Sequence, residues 1–210
     1  MALHDPASGI RAEQRGGARF NLLIRPAKLV GEGGEYLCVL RDVSDGGCKV
    51  RVFHRVPIDG AMMLELGNGD RYPVERAWER DDHIGLRFRT PVPVEYLLND
   101  QGIHRKRPVR LRIELPALII AGRDAFPAEV RDLSQQGACL HCESHLAADQ
   151  QIRLEVEGLP PIVAKGRWRR PPLIGLVFEQ TFRLDEFARI GEALQDPARQ
   201  SASGPRVRRA

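Results

Sequence analysis

Two arginines near the start of the chain and a turn motif after them are the residues whose types and spacing could do chemistry. Arg15 and Arg19 stand four residues apart, and Asp42, Ser44 and Gly47 then form the pattern D-x-S-x-x-G. An arginine guanidinium is a planar fork that matches phosphate oxygens and guanine edges. Two such cations ahead of a turn that carries a carboxylate and a hydroxyl therefore indicate a pocket for a phosphorylated purine.

The turn motif also has a purely structural interpretation. Asp and Ser side chains bond the backbone of tight turns, and Gly tolerates positive φ. A well-formed hairpin turn needs nothing more. The motif alone is therefore a weak signal, and its combination with the upstream arginines carries the functional hypothesis.

The chain is an internal repeat with a period of 90 residues. Its two tryptophans, Trp78 and Trp168, stand 90 residues apart, and the segment I-G-L-x-F occurs at residues 84–88 and again at 174–178. Other identical pairs in the same register are Pro26/Pro116, Ala27/Ala117, Arg41/Arg131, Asp42/Asp132, Ser44/Ser134, Gly47/Gly137, Leu64/Leu154 and Glu65/Glu155. Such self-similarity predicts two copies of one domain.

Each copy has the patterning of short strands separated by Gly, Asp or Pro. The first copy predicts strands at 20–30, 36–42, 48–53, 61–66, 72–80 and 84–89, and the second at 109–121, 127–132, 138–143, 151–156, 162–170 and 174–179. Short helices are predicted at 94–98 and 184–194. The expected fold is all-β with minor α, as two tandem six-stranded antiparallel barrels, because closure removes exposed sheet edges.

The same patterning gives expected domain boundaries. We expect a flexible N-terminus at 1–11, a first domain at 12–98, a linker at 99–104, a second domain with its C-terminal helix at 105–195, and a disordered basic tail at 196–210.

The second copy departs from the first ahead of its turn motif. The residue that lies 90 positions after Arg19 is a valine. Shifting the alignment of the two copies by one residue gives a K-x-x-x-R pattern instead. Lysine keeps the charge but lacks the planar fork. The candidate ligand-binding residues of this weaker copy are Arg105, Lys106, Arg110, Asp132, Ser134 and Gly137. This copy could alternatively be a dimerisation or docking surface, or its basic residues could face the first domain's ligand.

With R-x-x-x-R, [D/N]-x-S-x-x-G, a later Trp and a G-L-x-F strand, the chain resembles tandem PilZ domains from about residue 12 to about residue 190. PilZ domains are receptor modules for the bacterial second messenger cyclic di-GMP. The resemblance implies that Arg15 and Arg19 clamp guanine and phosphate. It also implies that Asp42 accepts from a guanine edge or orients an arginine, while Ser44 and Gly47 shape the wall of the site.

The resemblance makes the expected function that of a non-enzymatic cyclic di-GMP receptor. Binding would change segment order or the orientation of the two domains and signal to a downstream protein, in motility, polysaccharide production or surface attachment. Two alternatives stay open: a degenerate adaptor that acts by protein–protein contact without nucleotide, and a basic barrel that binds single-stranded nucleic acid. A homodimer is also left open.

Composition limits the class of protein. Hydrophobic residues at 42% and charged residues at 29% are ordinary for a globular chain. No apolar run approaches the roughly 20 residues that cross a bilayer. The first ten residues lack the basic and apolar regions of a secretion signal. We therefore expect a cytoplasmic protein without membrane contact.

Metal, enzyme and nucleic-acid interpretations are disfavoured. Cys139 and Cys142 form a C-x-x-C with histidines nearby, but the other two cysteines supply no second pair, so no metal or cofactor is expected. The six histidines include no repeat-equivalent pair and no phosphate-binding loop is present, so we expect no enzyme. Only 6% of residues are aromatic, and the repeat-equivalent Trp78 and Trp168 are interpreted as core residues, which argues against a stacking surface for nucleic acid.

Overall fold

The structure is a computed structural model, and it describes residues 24–57, 60–98, 108–147 and 149–195. Barrel 1 is a closed antiparallel sheet in the order β1-β2-β3-β6-β5-β4. Its strands are β1 (Arg25–Gly31), β2 (Gly34–Ser44), β3 (Gly47–Val52), β4 (Met62–Leu66), β5 (Arg71–Arg80) and β6 (His83–Phe88), and helix α1 (Val94–Leu98) follows.

Barrel 2 repeats this topology as a second closed antiparallel sheet, in the order β10-β11-β12-β9-β8-β7. Its strands are β7 (Arg110–Ala121), β8 (Asp124–Ser134), β9 (Gly137–His141), β10 (Gln151–Val156), β11 (Ile162–Arg170) and β12 (Leu173–Phe178), and helix α2 (Leu184–Gln195) follows. The predicted fold of two six-stranded barrels with following helices is confirmed.

The inward side chains of each barrel form its core. In β4, Met62, Leu64 and Leu66 are buried while the two residues between them are half-buried, which is the alternation of a strand with one face inward. Burial of such aliphatic side chains drives barrel closure at roughly 25 cal/mol per Å² of apolar surface removed from water.

The structure extends two strands beyond their predicted ends. The sequence prediction stopped these strands at Asp42 and Asp132, because aspartate is rare in strands and common in turns. In the structure β2 and β8 continue two residues further, to Ser44 and Ser134, since they stay paired with β3 and β9 up to a two-residue turn. The predicted segments 1–11, 99–104 and 196–210 lie outside the described residues, so the domain boundaries stay predictions.

Within the described ranges, neither helix has the length and apolarity that a membrane crossing requires.

Helix α2 belongs to barrel 2 but also packs against barrel 1. It buries Phe187, Ala188, Gly191 and Leu194. Leu37 of β2 is 1% exposed and lies in the same apolar cluster as the core of barrel 2, not in that of barrel 1. The two barrels therefore share apolar surface rather than being joined by the linker alone.

The last residue of α2 makes polar contacts across the same interface. The side-chain amide of Gln195 accepts a hydrogen bond from the Glu35 amide at 2.7 Å and donates one to the Glu35 carbonyl at 2.8 Å. Gly34, with φ of 132°, leaves room for this approach, because a Cβ there would lie 2.8 Å from Gln195 Oε1. The amide of Gln195 thus pairs with β2 as a neighbouring strand would.

Candidate functional site

Each D-x-S-x-x-G motif closes a two-residue hairpin turn. The Ser44 hydroxyl donates to the Gly47 carbonyl at 3.1 Å. In barrel 2 the Ser134 hydroxyl donates to the Gly137 carbonyl at 3.0 Å, and Ser134 is only 1% exposed. Both serines therefore stabilise their turn, and the one in barrel 2 is buried.

The last glycine of each motif lies directly against the neighbouring strand. A Cβ on Gly47 would lie 2.2 Å from the Leu86 carbonyl oxygen, and one on Gly137 would lie 2.1 Å from the Leu176 carbonyl oxygen. Gly46, one residue earlier, has nothing within 4 Å of its Cβ position. Only the last glycine is therefore required by packing.

Asp42 lies at one end of a row of residues that crosses the outer face of barrel 1. In the strand register Asp42 pairs with Lys49, Lys49 with Gly85, and Gly85 with Trp78. Residues opposite one another on adjacent strands share a face of the sheet. We call these four residues row 1.

Barrel 2 has the same arrangement. Asp132 pairs with Cys139, Cys139 with Gly175, and Gly175 with Trp168. We call these four residues row 2. The carboxylate, the glycine and the tryptophan are the same in both rows, and the position of Lys49 is the one that differs.

A β-bulge marks both ends of each row. In barrel 1 the register shifts between Leu40 and Asp42 and again between Arg76 and Trp78. The equivalent shifts occur in barrel 2. Because a bulge bends its strand and redirects a side chain, it sets how the carboxylate and the indole are presented. Three strand pairings without bulges would not present the carboxylate and the indole in this way.

Both tryptophans lie on the barrel surface, so their interpretation as core residues is wrong. Trp78 is 47% exposed and Trp168 is 41% exposed. Each indole covers the glycine beside it: a Cβ on Gly85 or Gly175 would lie 2.1 Å from the indole Nε1. Large aromatic residues are usually buried in the core. Here each indole instead packs against a glycine on the barrel surface. One side of each indole is held and much of its surface remains open.

Substitution Gly85→Ala should displace the Trp78 indole. The added Cβ requires the ring to move. Loss of the packing between the indole and residue 85 should lower the free energy of unfolding by about 1 kcal/mol. In a Trp168→Phe background, in which Trp78 alone reports, the fluorescence emission should shift to longer wavelength. Gly175→Ala in a Trp78→Phe background is the matched control and should behave alike. Unchanged emission and stability in both alanine variants would contradict the packing of each indole over its glycine.

The carboxylates of the two rows have different cationic partners. In barrel 1 Asp42 forms an ion pair with Lys49 of the same row. In barrel 2 the row has a cysteine at that position, and Asp132 is paired instead with Arg110 at the start of β7. All four charged groups are partly exposed. Each carboxylate is therefore accessible and is neutralised by a cation. The two cations come from different parts of their barrels.

The structure brings together only part of the predicted site. Among the predicted residues it describes Asp42, Ser44, Gly47, Arg110, Asp132, Ser134 and Gly137. Arg15, Arg19, Arg105 and Lys106 lie outside the described residues. Sequence reasoning missed Gly85, although it belongs to the repeated I-G-L-x-F segment. It also missed Lys49, which no repeat signal marks because its equivalent is a cysteine.

The cysteines do not form a metal site in the part of the chain that the structure describes, where no group of three or more His, Cys, Asp or Glu side chains could hold an ion. Burial raises the pKa of the Cys38 thiol, and it raises the pKa of Cys48 to about 12. Burial is also the main cause of the raised pKa of Cys139. Metal binding uses the thiolate, so these environments disfavour the form of cysteine that a metal needs.

Comparison with known proteins identifies the domain type. The PilZ domain family matches residues 10–99 and again residues 104–195. No curated protein matches the chain.

Several solved structures are similar at low identity. They include PlzA of Borreliella burgdorferi in complex with c-di-GMP (12% identity, TM-score 0.33, covering 87% of this chain and 95% of that one). They also include YcgR of Escherichia coli in complex with c-di-GMP (15%, 0.32, covering 85% and 87%). A third is the inhibitor of motility MotI/DgrA of Bacillus subtilis (13%, 0.34, covering 88% and 99%). The two PilZ domain matches take in most of the sequence and coincide with its two barrels, so the chain belongs to the PilZ family and carries two PilZ domains in tandem.

Proposed function

We propose that this protein is a non-enzymatic receptor for cyclic di-GMP. Membership of the PilZ family supports this ligand class. The observation that carries the proposal is row 1, where a carboxylate, an ammonium and a seated indole follow one another across four strands. Cyclic di-GMP offers guanine donors to the carboxylate, phosphates to the cation and flat purines to the indole. GTP and single-stranded nucleic acid offer the same three kinds of group, so both serve as controls in the test below.

Each member of row 1 has a distinct role in this proposal. Asp42 accepts hydrogen bonds from guanine N–H groups. Trp78 stacks on a purine, since base–aromatic stacking contributes about 1–3 kcal/mol per base. Lys49 leaves Asp42 and neutralises a phosphate, so ligand binding exchanges one ion pair for another. Arg15 and Arg19 of the preceding segment bind guanine and phosphate from the open side.

Barrel 2 is proposed as the weaker site. Asp132 and Trp168 repeat the two ends of row 1, but Cys139 supplies no cation between them. Arg110 is already paired with Asp132 and has to supply that charge itself, together with Arg105 and Lys106. Ser134 is buried and acts through its turn rather than on the ligand. The expected affinity is therefore lower than that of barrel 1.

The proposed output is a change in the order of the arginine-bearing segments or in the orientation of the two barrels, read by a downstream protein. Motility, polysaccharide production and surface attachment are the processes in which such an output would act. Self-association into a homodimer belongs to the same proposal. Each of these is tested only after ligand binding is established.

A calorimetric titration of the whole chain with cyclic di-GMP tests the proposal, with GTP and a short single-stranded oligonucleotide as controls. We expect micromolar or tighter binding of cyclic di-GMP alone, which corresponds to about 8 kcal/mol or more. Trp78→Ala should weaken it by about tenfold or more through lost stacking. Binding of the oligonucleotide instead would support a nucleic-acid barrel. No binding of any of the three would support an adaptor that acts through protein contacts.

A further inference from the structure

The first residues of β7 have an edge that faces barrel 1 rather than a strand of their own barrel. Strand β7 pairs with β8 along its length, but it pairs with β10 only from Ala117 to Ile120. At Arg110 and Arg112 the side away from β8 is closed by two side chains from barrel 1. Lys28 Nζ donates to the Arg110 carbonyl at 2.9 Å, and the Arg112 amide donates to Glu35 Oε2 at 2.9 Å.

These two side chains are themselves fixed. Lys28 is 3% exposed, and its ammonium lies 2.8 Å from Glu35 Oε2 and 3.1 Å from Glu65 Oε1. With the Arg110 carbonyl as third acceptor, all three ammonium protons have partners. A buried charge that is fully bonded in this way has little freedom to move, because each displacement leaves a group unpaired in a poorly hydrated place.

The held strand is the one that presents a site residue. Arg110 carries its guanidinium to Asp132, at the carboxylate end of row 2. Its backbone carbonyl is bonded on the opposite edge by Lys28. The position of the Arg110 side chain at row 2 thus depends on a strand segment whose second edge is hydrogen-bonded by Lys28 and Glu35 of barrel 1.

We propose that Lys28 and Glu35 of barrel 1 are positioning residues for the ligand site of barrel 2. This inference rests on the proposed function. Lys28 and Glu35 replace a neighbouring strand, one supplying a donor and the other an acceptor, and so keep Arg110 at Asp132 before ligand arrives. The site of barrel 2 is therefore incomplete without barrel 1, although neither Lys28 nor Glu35 touches the ligand.

The test uses the full chain with Arg15→Ala and Arg19→Ala, so that calorimetry with cyclic di-GMP reports barrel 2. In this parent Glu35→Ala should weaken binding about tenfold, the size typical of coupling through a packed network. Glu35→Gln, which keeps an acceptor for the Arg112 amide, should retain most of the affinity. Hydrogen exchange of the peptide that covers residues 110–115 should speed up in Glu35→Ala and much less in Glu35→Gln.

Lys28→Met provides a second variant with the same expected loss of affinity. It removes the ammonium partner of Glu35 and one of the two cationic partners of Glu65, which keeps Arg71. Its thermal unfolding is therefore measured first, and the Glu35 variants carry the test where it does not fold. Glu192→Ala is the matched control. Glu192 of α2 lies 3.4 Å from the His54 ring across the same interface, and this ion pair involves neither β7 nor Lys28.

The outcomes separate this inference from the proposed function. If the parent does not bind cyclic di-GMP, the proposed site in barrel 2 is wrong and its positioning residues with it. If the parent binds and Glu35→Ala binds equally well, the inference alone is overturned. If Glu192→Ala weakens binding as much as Glu35→Ala, the interface as a whole matters and the specific role of Lys28 and Glu35 is refuted.

Discussion

Replacement of both Arg15 and Arg19 by alanine should remove high-affinity cyclic di-GMP binding from barrel 1. Each guanidinium is proposed to make charge-assisted hydrogen bonds that contribute about 1.5–3 kcal/mol, so the pair together should cost at least about 100-fold in affinity. Row 1 keeps Asp42 and Trp78 in this variant but has no cation on the open side of the ligand. Calorimetry of the double variant should show the tighter of two binding events lost and the weaker one retained.

Arg110→Ala is the matched control for this prediction. It removes the cation that pairs with Asp132 in row 2 and leaves row 1 intact. The tight event should therefore survive in Arg110→Ala. The opposite pattern, with unchanged affinity in Arg15→Ala/Arg19→Ala and lost affinity in Arg110→Ala, would move the principal site to barrel 2.

Gly47→Ala should be the most destabilising single substitution in the turn of barrel 1. The new Cβ would lie 2.2 Å from the Leu86 carbonyl oxygen, so backbone of β3 or β6 has to move. A flexible side chain could swing aside, but a strand paired on both sides cannot. Such overpacking should lower the free energy of unfolding by about 3 kcal/mol, measured by urea unfolding.

The adjacent residue supplies the control. Gly46 has open space at its Cβ position, so Gly46→Ala should change the stability by less than about 0.5 kcal/mol. The second repeat already carries Gln136 at this position, and its Gly137 is as crowded as Gly47. Equal losses of stability in Gly46→Ala and Gly47→Ala would show that the turn conformation, and not the contact with Leu86, requires glycine.

The barrels could be predicted because their causes are local and repeated. Alternating burial produces a pattern of apolar residues in the sequence of each strand. An offset of 90 residues brings the two copies into register. The turn motif was predicted as a turn for the same reason, since Asp, Ser and Gly act on backbone only a few residues away. Strand ends were less accurate because pairing with a neighbour outweighed the turn preference of Asp42 and Asp132.

The parts that could not be predicted depend on residues far apart in sequence. Lys28 and Glu35 carry no signal in the sequence, and the candidate site residue Arg110 shows no sign there of its contact with Lys28. The repeat-equivalent strand position of Trp78 predicts a core residue, whereas a glycine on the next strand lets its indole pack on the outside of the barrel. The periodicity of a sequence does not show which strands are neighbours at a β-bulge.

The shared apolar surface between the barrels has a consequence for cutting the protein in two. Leu37 is covered by barrel 2, and α2 ends on the backbone of β2 through Gln195. A chain divided between residues 98 and 108 would leave one half with a bare leucine beside a buried lysine and the other with an uncovered helix face. Association of the two fragments would restore the cover of Leu37 and the hydrogen bonds of Lys28 and Glu35 to the other half, so we expect them to reassemble when mixed rather than to serve as independent modules.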